Sequence, residues 1–274
     1  MTEVVERHEV LGPEPAVALA GLLDVPLPDL EAGEGLPLTW HWVYLLERPL
    51  QRDLGADGHP VRNVVPAPPE PGRRRMWAGG SIRSFSALRV GERTTRRSKV
   101  LDTTERHGRS GRLTFVTVGH EILQGGQTVV EERQDILYRD AATGSGPTGI
   151  PAQPRERLEV GVGEWSVPVS AALLFRFSAL TYNAHRIHYD RDYARTCEGY
   201  PGLVVHGPLQ AMAMAMVARS TGFQTRPGEL FEYRLIAPLF EGQGLVAGAS
   251  AQAGGMRTTV RDDWGRRTAE GRLS

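Results

Sequence analysis

A helix-favouring stretch followed by a run of strand-like segments occurs twice along this chain, and that repeated order constrains the fold more than any single residue does. In the first half, Pro13 to Leu23 and Leu36 to Glu47 read as helical, the second carrying Trp40, Trp42, Val43, Leu45 and Leu46. Strand-like segments follow at Ser81 to Leu88, Glu92 to Arg106, Arg112 to Ile122 and Thr128 to Tyr138. Alternation is clearest from Leu113 to Val118, at the period of two that places successive side chains on opposite sheet faces. In the second half Trp165 to Val169 reads as a strand, and Ser170 is placed to cap a helix running to Leu180. Gly207-Pro208 opens a further helix through Ser220 that Gly222 closes. Strands are expected at Leu230 to Ile236, Gly244 to Ala253, Met256 to Asp263 and Thr268 to Leu273.

The two halves meet at a breaker-rich stretch from Ala141 to Pro151, which favours a connector over any regular element. The boundary is therefore set at 150, with one domain over residues 1–150 and another over 151–274. At 274 residues and 40% hydrophobic content the chain can bury two such cores. A helix wrapped by an antiparallel sheet, twice over, is the layout of an α+β double hot-dog. Alternating methionines at 212, 214 and 216 would suit a strand, but the intervening alanines and the flanking caps favour a buried helix.

Charge excludes some functions. With 32 basic and 32 acidic residues the formal net charge is zero, and no block of one sign forms a nucleic-acid footprint or membrane tether. No apolar run approaches the roughly 20 residues needed to span a bilayer. The charged start from Met1 to Val10 lacks the apolar core of a signal peptide, and Cys197 is the single cysteine, so a reduced, cytoplasmic setting is expected. Cys197 is expected to pack within a helical turn. No His/Cys spacing suits zinc and no glycine-rich loop suits phosphate, so neither metal nor added cofactor is expected.

Chemistry concentrates between Phe177 and Asp190, where Asn183, His185, Arg186 and His188 lie within six residues, and in Gly202-Leu203-Val204-Val205-His206-Gly207-Pro208-Leu209. An imidazole with an unperturbed pKa near 6.5 can act as base and then acid at neutral pH. A backbone N–H at a helix start suits a developing oxyanion, because unsatisfied donors and the helix dipole both point there. Asp190 is best placed to cap a helix from Arg191 to Cys197.

The segment resembles the hydratase-2 motif of the MaoC-like dehydratases and hydratases, usually Asp-x-Asn-Pro-Leu-His. The fuller strings from Phe177 to Asp190, from Glu198 to Leu209, and Arg75-Met76-Trp77-Ala78-Gly79-Gly80 resemble a subgroup holding hydroxyacyl-thioester dehydratase type 2 and the 3-methylfumaryl-CoA, mesaconyl-CoA and itaconyl-CoA hydratases. The resemblance implies a hydro-lyase that adds water to an enoyl thioester of coenzyme A or acyl carrier protein. It implies His188 as acid/base and Gly207 as the donor to the thioester oxygen. It places Asn183 where the motif has aspartate, and His185 and Arg186 where it has asparagine and proline. An amide accepts and donates hydrogen bonds but takes up no proton. Three arrangements then stand open: His188 moves every proton with Asn183 orienting water, His185 assists, or the site is weak.

His185, Arg186, His206, Tyr200 and Trp77 complete the candidate set as substrate contacts. Each has a plainer role beside that one: packing for His185, shaping the turn before Gly207 for His206, a turn signal for Tyr200 and pairing with Asp190 or Asp192 for Arg186. If the substrate is a branched dicarboxylate monothioester, arginine is the natural fork for its free carboxylate, with Arg186 first and Arg75 and Arg234 behind it. One active site per chain is expected, the first hot-dog supplying room for the substrate tail, with coenzyme A arriving only as part of the substrate. Hot-dog sheets commonly pair, which implies a homodimer. The alternatives are an (R)-3-hydroxyacyl-thioester dehydratase, a non-catalytic acyl-thioester binder, and a thioesterase.

Overall fold

The computed structural model describes residues 3–30, 35–65, 73–108, 111–140, 156–223 and 227–274. The expected connector, 141–151, and much of the proline-rich loop after Val64 lie outside these residues. The elements run β1 (Val5–Val10), α1 (Glu14–Leu23), β2 (Arg73–Ser84), β3 (Arg93–Gly108), β4 (Gly111–Gln124), β5 (Gln127–Asp140), β6 (Glu164–Val167), α2 (Ala171–Leu180), α3 (Arg191–Thr196), α4 (Gly207–Ser220), β7 (Leu230–Leu235), β8 (Leu245–Gln252), β9 (Gly255–Arg261) and β10 (Arg267–Leu273).

All ten strands form one sheet in the order β1-β3-β4-β5-β2-β7-β10-β9-β8-β6, and every pairing is antiparallel. The seam between the halves is β2 against β7, registered from Gly79↔Arg234 to Arg83↔Leu230. Backbones crowd on both sides of β2: a Cβ on Gly79 would stand 2.5 Å from the Tyr233 carbonyl oxygen across the seam, and one on Gly80 2.1 Å from that of Arg133 on β5. Just before the seam β2 carries a bulge between Trp77 and Gly79. Bulges redirect side chains, and this one adjoins Trp77 at the C-terminal half's helix, as described below.

The second half follows the expected pattern. Helix α4 packs on strands β6 to β10, and Met212 and Met214 are fully buried in its core face, so the methionines fill a hydrophobic interior. Ser170 caps α2 by accepting from the Leu173 N–H, and Asp190 caps α3 by accepting from that of Tyr193. The first half departs from expectation at 36–47, where a single 3-10 turn, Trp40–Val43, replaces the helix. Thr39 and Leu45 have φ of 76° and 53°, which break helical continuity on either side. Side-chain bonds hold this segment instead: Tyr44 donates to the Gly12 carbonyl and accepts from the Ala16 N–H, while Trp42 donates to Glu132, which also pairs with His41. The N-terminal strand β1 was not foreseen; it is an edge strand whose alternating residues pair with β3. Cys197 is exposed at the end of α3 and does not pack. No helix among the described residues is long and apolar enough to cross a membrane.

Burial fixes a pH response. It holds His188 and His120 down at about 4, so each is protonated more readily in the unfolded chain. Between the unfolded value near 6.5 and the folded value, the unfolded state binds more protons, so stability is fully present above pH 6.5 and falls as pH drops toward 4. Glu132 adds loss further down: burial pushes its carboxyl up, but His41 and other partners outweigh that and hold it at about 2. Melting temperature should therefore fall steadily from pH 6.5 to 4; a flat curve would contradict these buried neutral imidazoles.

Candidate active site

The turn that carries the histidines is built from short, mutually anchoring bonds. After α2, Asn183 N–H donates to the Ser178 carbonyl and Tyr182 takes φ of 52°. The Asn183 side-chain oxygen then accepts the His185 N–H at 3.0 Å, an Asx turn that leads into the 3-10 turn Arg186–His188. Val204 clasps that turn from both sides, its N–H donating to the Ile187 carbonyl and its carbonyl accepting from His188 Nδ1 at 2.7 Å. Beneath lies a small apolar layer of Ile187, Ala194, Tyr200, Val204 and Phe240.

The clasp sets the chemistry of His188. A carbonyl only accepts, so Nδ1 carries the proton and Nε2 keeps its lone pair. Burial keeps the ring neutral at pH 7, ready to accept a proton but poorly suited to hold one. The His188 and His206 rings stack with centroids 3.7 Å apart, and His206 Nε2 meets Ser178 Oγ at 2.8 Å. Burial also drives the His206 pKa well down. His206 thus shapes the approach to α4 and lies against the His188 ring.

Gly207 is the first residue of α4. His206 at the cap position makes no side-chain cap bond, so the first-turn N–H groups are not consumed by capping. A Cβ on Gly207 would meet Leu235 Cδ1 at 2.4 Å and Trp77 Cβ at 3.4 Å, which places Trp77 of the first half against the helix start. Trp77 is itself fixed by donating to the Tyr233 hydroxyl and by an edge contact with Trp42.

The structure brings together His185, His188, His206, Gly207, Asn183 and Trp77, and it places three other candidates elsewhere. Arg186 is committed to Asp190 at 2.7 Å, to the Ala56 carbonyl and to the Tyr193 ring, leaving no free fork for a substrate. Tyr200 lies in the apolar layer with the Arg74 guanidinium over its ring. Arg234 pairs with Glu270 on the surface.

Two residues escaped the sequence reading. Asp57 and His59 come from the first half, more than 120 residues upstream of the histidine turn. His59 Nδ1 lies 2.9 Å from Asp57 Oδ2, and the His59 N–H donates to Asp57 Oδ1 at 2.9 Å. The His59 ring lies on His185 with centroids 4.0 Å apart, and His185 meets His188 edge-on at 5.4 Å. Their local signal was the string Asp57-Gly58-His59-Pro60, an Asx-turn sequence ending in a half-buried imidazole. Asp57, His59 and His185 bring three candidate metal-ligand atoms within 4.8 Å of one another, against the expectation from spacing alone. The two imidazoles are tilted at 37° to one another, and the direct bond between Asp57 and His59 Nδ1 makes these two a proton-sharing pair. A cleft of about 570 Å³ opens beside Leu36, His41, Leu88 and Phe223, and none of the clustered histidines lines it.

Residues 39–241 match the family model described as hydroxyacyl-thioester dehydratase type 2. The chain belongs to this family. It is 46% identical over 227 residues to the mesaconyl-C(4)-CoA hydratase of Chloroflexus aurantiacus, covering 82% of this chain and 79% of that one. Among solved structures it resembles HtdX of Mycobacterium tuberculosis with a TM-score of 0.67 at 14% identity, covering 99% of both chains. It also resembles, with a TM-score of 0.54 at 13% identity over 99% of this chain and 94% of that one, an M. tuberculosis protein described as having a double hot-dog fold. The helix-on-sheet repeat is thus a double hot-dog, with the first half's helix reduced to α1 and a 3-10 turn. The protein is a hydro-lyase of the thioester dehydratase and hydratase class.

Proposed function

We propose that this hydro-lyase adds water to an unsaturated dicarboxylate monothioester of coenzyme A, of the kind for which its Chloroflexus relative is named. In such a substrate the double bond lies between the thioester carbonyl and a free carboxylate, and that carboxylate sits at the carbon water attacks. Its counter-ion must therefore lie within a few ångströms of the proton-handling groups. Arg75 is the observation that carries this reading. Its charge reaches Asp57, His59 and His185, the polar groups gathered beside the histidine turn. Burial depresses its pKa, against the pull of Tyr138, Glu47 and Asp57. Partial burial of a cation is costly, and a substrate carboxylate would offset part of that cost.

In this reading water adds its oxygen to the β carbon, the electron pair moves onto the thioester oxygen facing the Gly207 N–H, and the α carbon then takes a proton. This chemistry balances with coenzyme A arriving on the substrate and no further cofactor, in a cytoplasmic homodimer formed by pairing of hot-dog sheets. The rival, a dehydratase of simple 3-hydroxyacyl thioesters, needs no cation at the β carbon. A panel of enoyl-CoA thioesters, followed by absorbance of the conjugated double bond, separates the two. Dicarboxylate monothioesters should be turned over faster than crotonyl-CoA; equal or better turnover of crotonyl-CoA would sink the proposal. Arg75→Gln should lower kcat/KM for the dicarboxylate roughly 10–100-fold, the worth of one charge-assisted hydrogen bond, and far less for crotonyl-CoA.

A further inference from the structure

The hydration needs a group that takes a proton from water and returns it to carbon, and the histidine turn alone supplies it poorly. His188 is backed by the neutral Val204 carbonyl, so nothing in contact with it balances an imidazolium. Asn183 takes up no proton, and its oxygen is spent on the His185 N–H. The Asp57–His59 pair has what both lack. The carboxylate accepts from Nδ1, which leaves the Nε2 lone pair of His59 free and provides a counter-ion when that atom is protonated.

The loop that carries the pair is fixed to the histidine turn. The Arg186 N–H donates to the Asp57 carbonyl at 2.9 Å and Arg186 Nη1 to the Ala56 carbonyl at 3.1 Å. Gly58, at φ of 89°, lies so close that a Cβ there would stand 1.8 Å from the Ala184 carbonyl oxygen. Asp57 therefore stays in place relative to His185 and His188 without rearrangement, as a preorganised catalytic group requires.

We infer that Asp57 and His59 are the acid/base couple of this site, with His59 the catalytic residue and Asp57 the positioning residue behind it. Water donates one O–H to the Nε2 of His188, which holds it. Its other proton passes to the Nε2 of His59 as the oxygen bonds to the β carbon. The C=C pair becomes the enolate of the thioester, and its protonation at the α carbon by the His59 imidazolium restores the neutral ring, so one proton is taken and one returned. The groups facing His59 are Asp57, Arg75, His185 and His188. Burial lowers the pKa of His59 and Arg75 adds to that, with Asp57 opposing, so the resting ring is neutral and able to accept.

The inference rests on the hydration reaction and not on which thioester is hydrated, so kcat is measured on both a dicarboxylate monothioester and crotonyl-CoA. A preference for crotonyl-CoA would overturn the substrate reading while leaving this test intact. His59→Gln should lower kcat about 10²-fold or more with KM within about threefold. Asp57→Asn should lower kcat about tenfold and move the acid limb of the kcat–pH profile to lower pH, because the imidazolium loses its counter-ion. Adding Asn183→Asp to His59→Gln should restore activity at least about tenfold, since a second carboxylate could then accept the proton. Circular dichroism checks that the variants fold; if His59→Gln does not, the Asp57→Asn profile decides alone. Rates within threefold of the parent for both single variants, an effect confined to KM, or an acid limb unmoved by Asp57→Asn would each overturn the assignment.

Discussion

Replacing His188 by Ala lowers kcat by about 10²-fold, because the attacking water loses the acceptor that positions it, while acyl-thioester binding survives. The effect is large because the ring has no understudy. Its Nε2 is the one atom the Val204 clasp leaves free, its stacked neighbour His206 is tied to Ser178, and Asn183 has its oxygen in the backbone. The variant also strands the Val204 carbonyl, a cost of about 1–3 kcal/mol for a buried acceptor, so melting temperature should drop as well. Steady-state kinetics paired with a dissociation constant for a thioester separates the two effects. Full binding with no activity in the parent to lose would mean that the cluster is a binding site and not a catalytic one.

The legibility of this site from sequence follows the range of its interactions. The Ser170 and Asp190 caps, the Arg186–Asp190 pairing four residues apart and the start of α4 at Gly207 were all readable because each is settled within about four positions. What escaped depends on the sheet. Asp57 and His59 face the histidines only because β2 pairs with β7 and joins the two halves, and no local pattern announces a contact across more than 120 residues. The irregular turn at Trp40–Val43 failed for a related reason. Its apolar residues carry a helical rhythm, but Glu132 of a distant strand claims both His41 and Trp42, and tertiary bonds override propensity. Arg75 was legible as a carboxylate fork ranked behind Arg186; sequence did not show that Arg186 is committed to Asp190 while the Arg75 charge reaches Asp57, His59 and His185.

The joint between the halves predicts the second large effect, at a residue with no side chain to react. Gly58→Ala should cost more than about 2 kcal/mol of stability and lower kcat at least about 10²-fold. Two penalties act together. At φ of 89° an alanine is strained by about 1–2 kcal/mol, and its Cβ would overlap the Ala184 carbonyl oxygen, a backbone atom that moves only if the histidine turn moves with it. That turn is held on its other side by Val204, so the loop from 55 to 60 is the part that gives way, carrying Asp57 and His59 from His185. A displacement near 1 Å at a catalytic group costs about 10² in rate even when binding is intact. Gly91→Ala is the matching control. Its φ is 84° and no atom stands within 4 Å of the added Cβ, so it bears the strain without the collision and lies on a turn distant from the histidines. Thermal melts should show both variants destabilised, but kcat should fall only in Gly58→Ala. A parallel fall in both would mean that general loosening, not the contact between the halves, sets the rate.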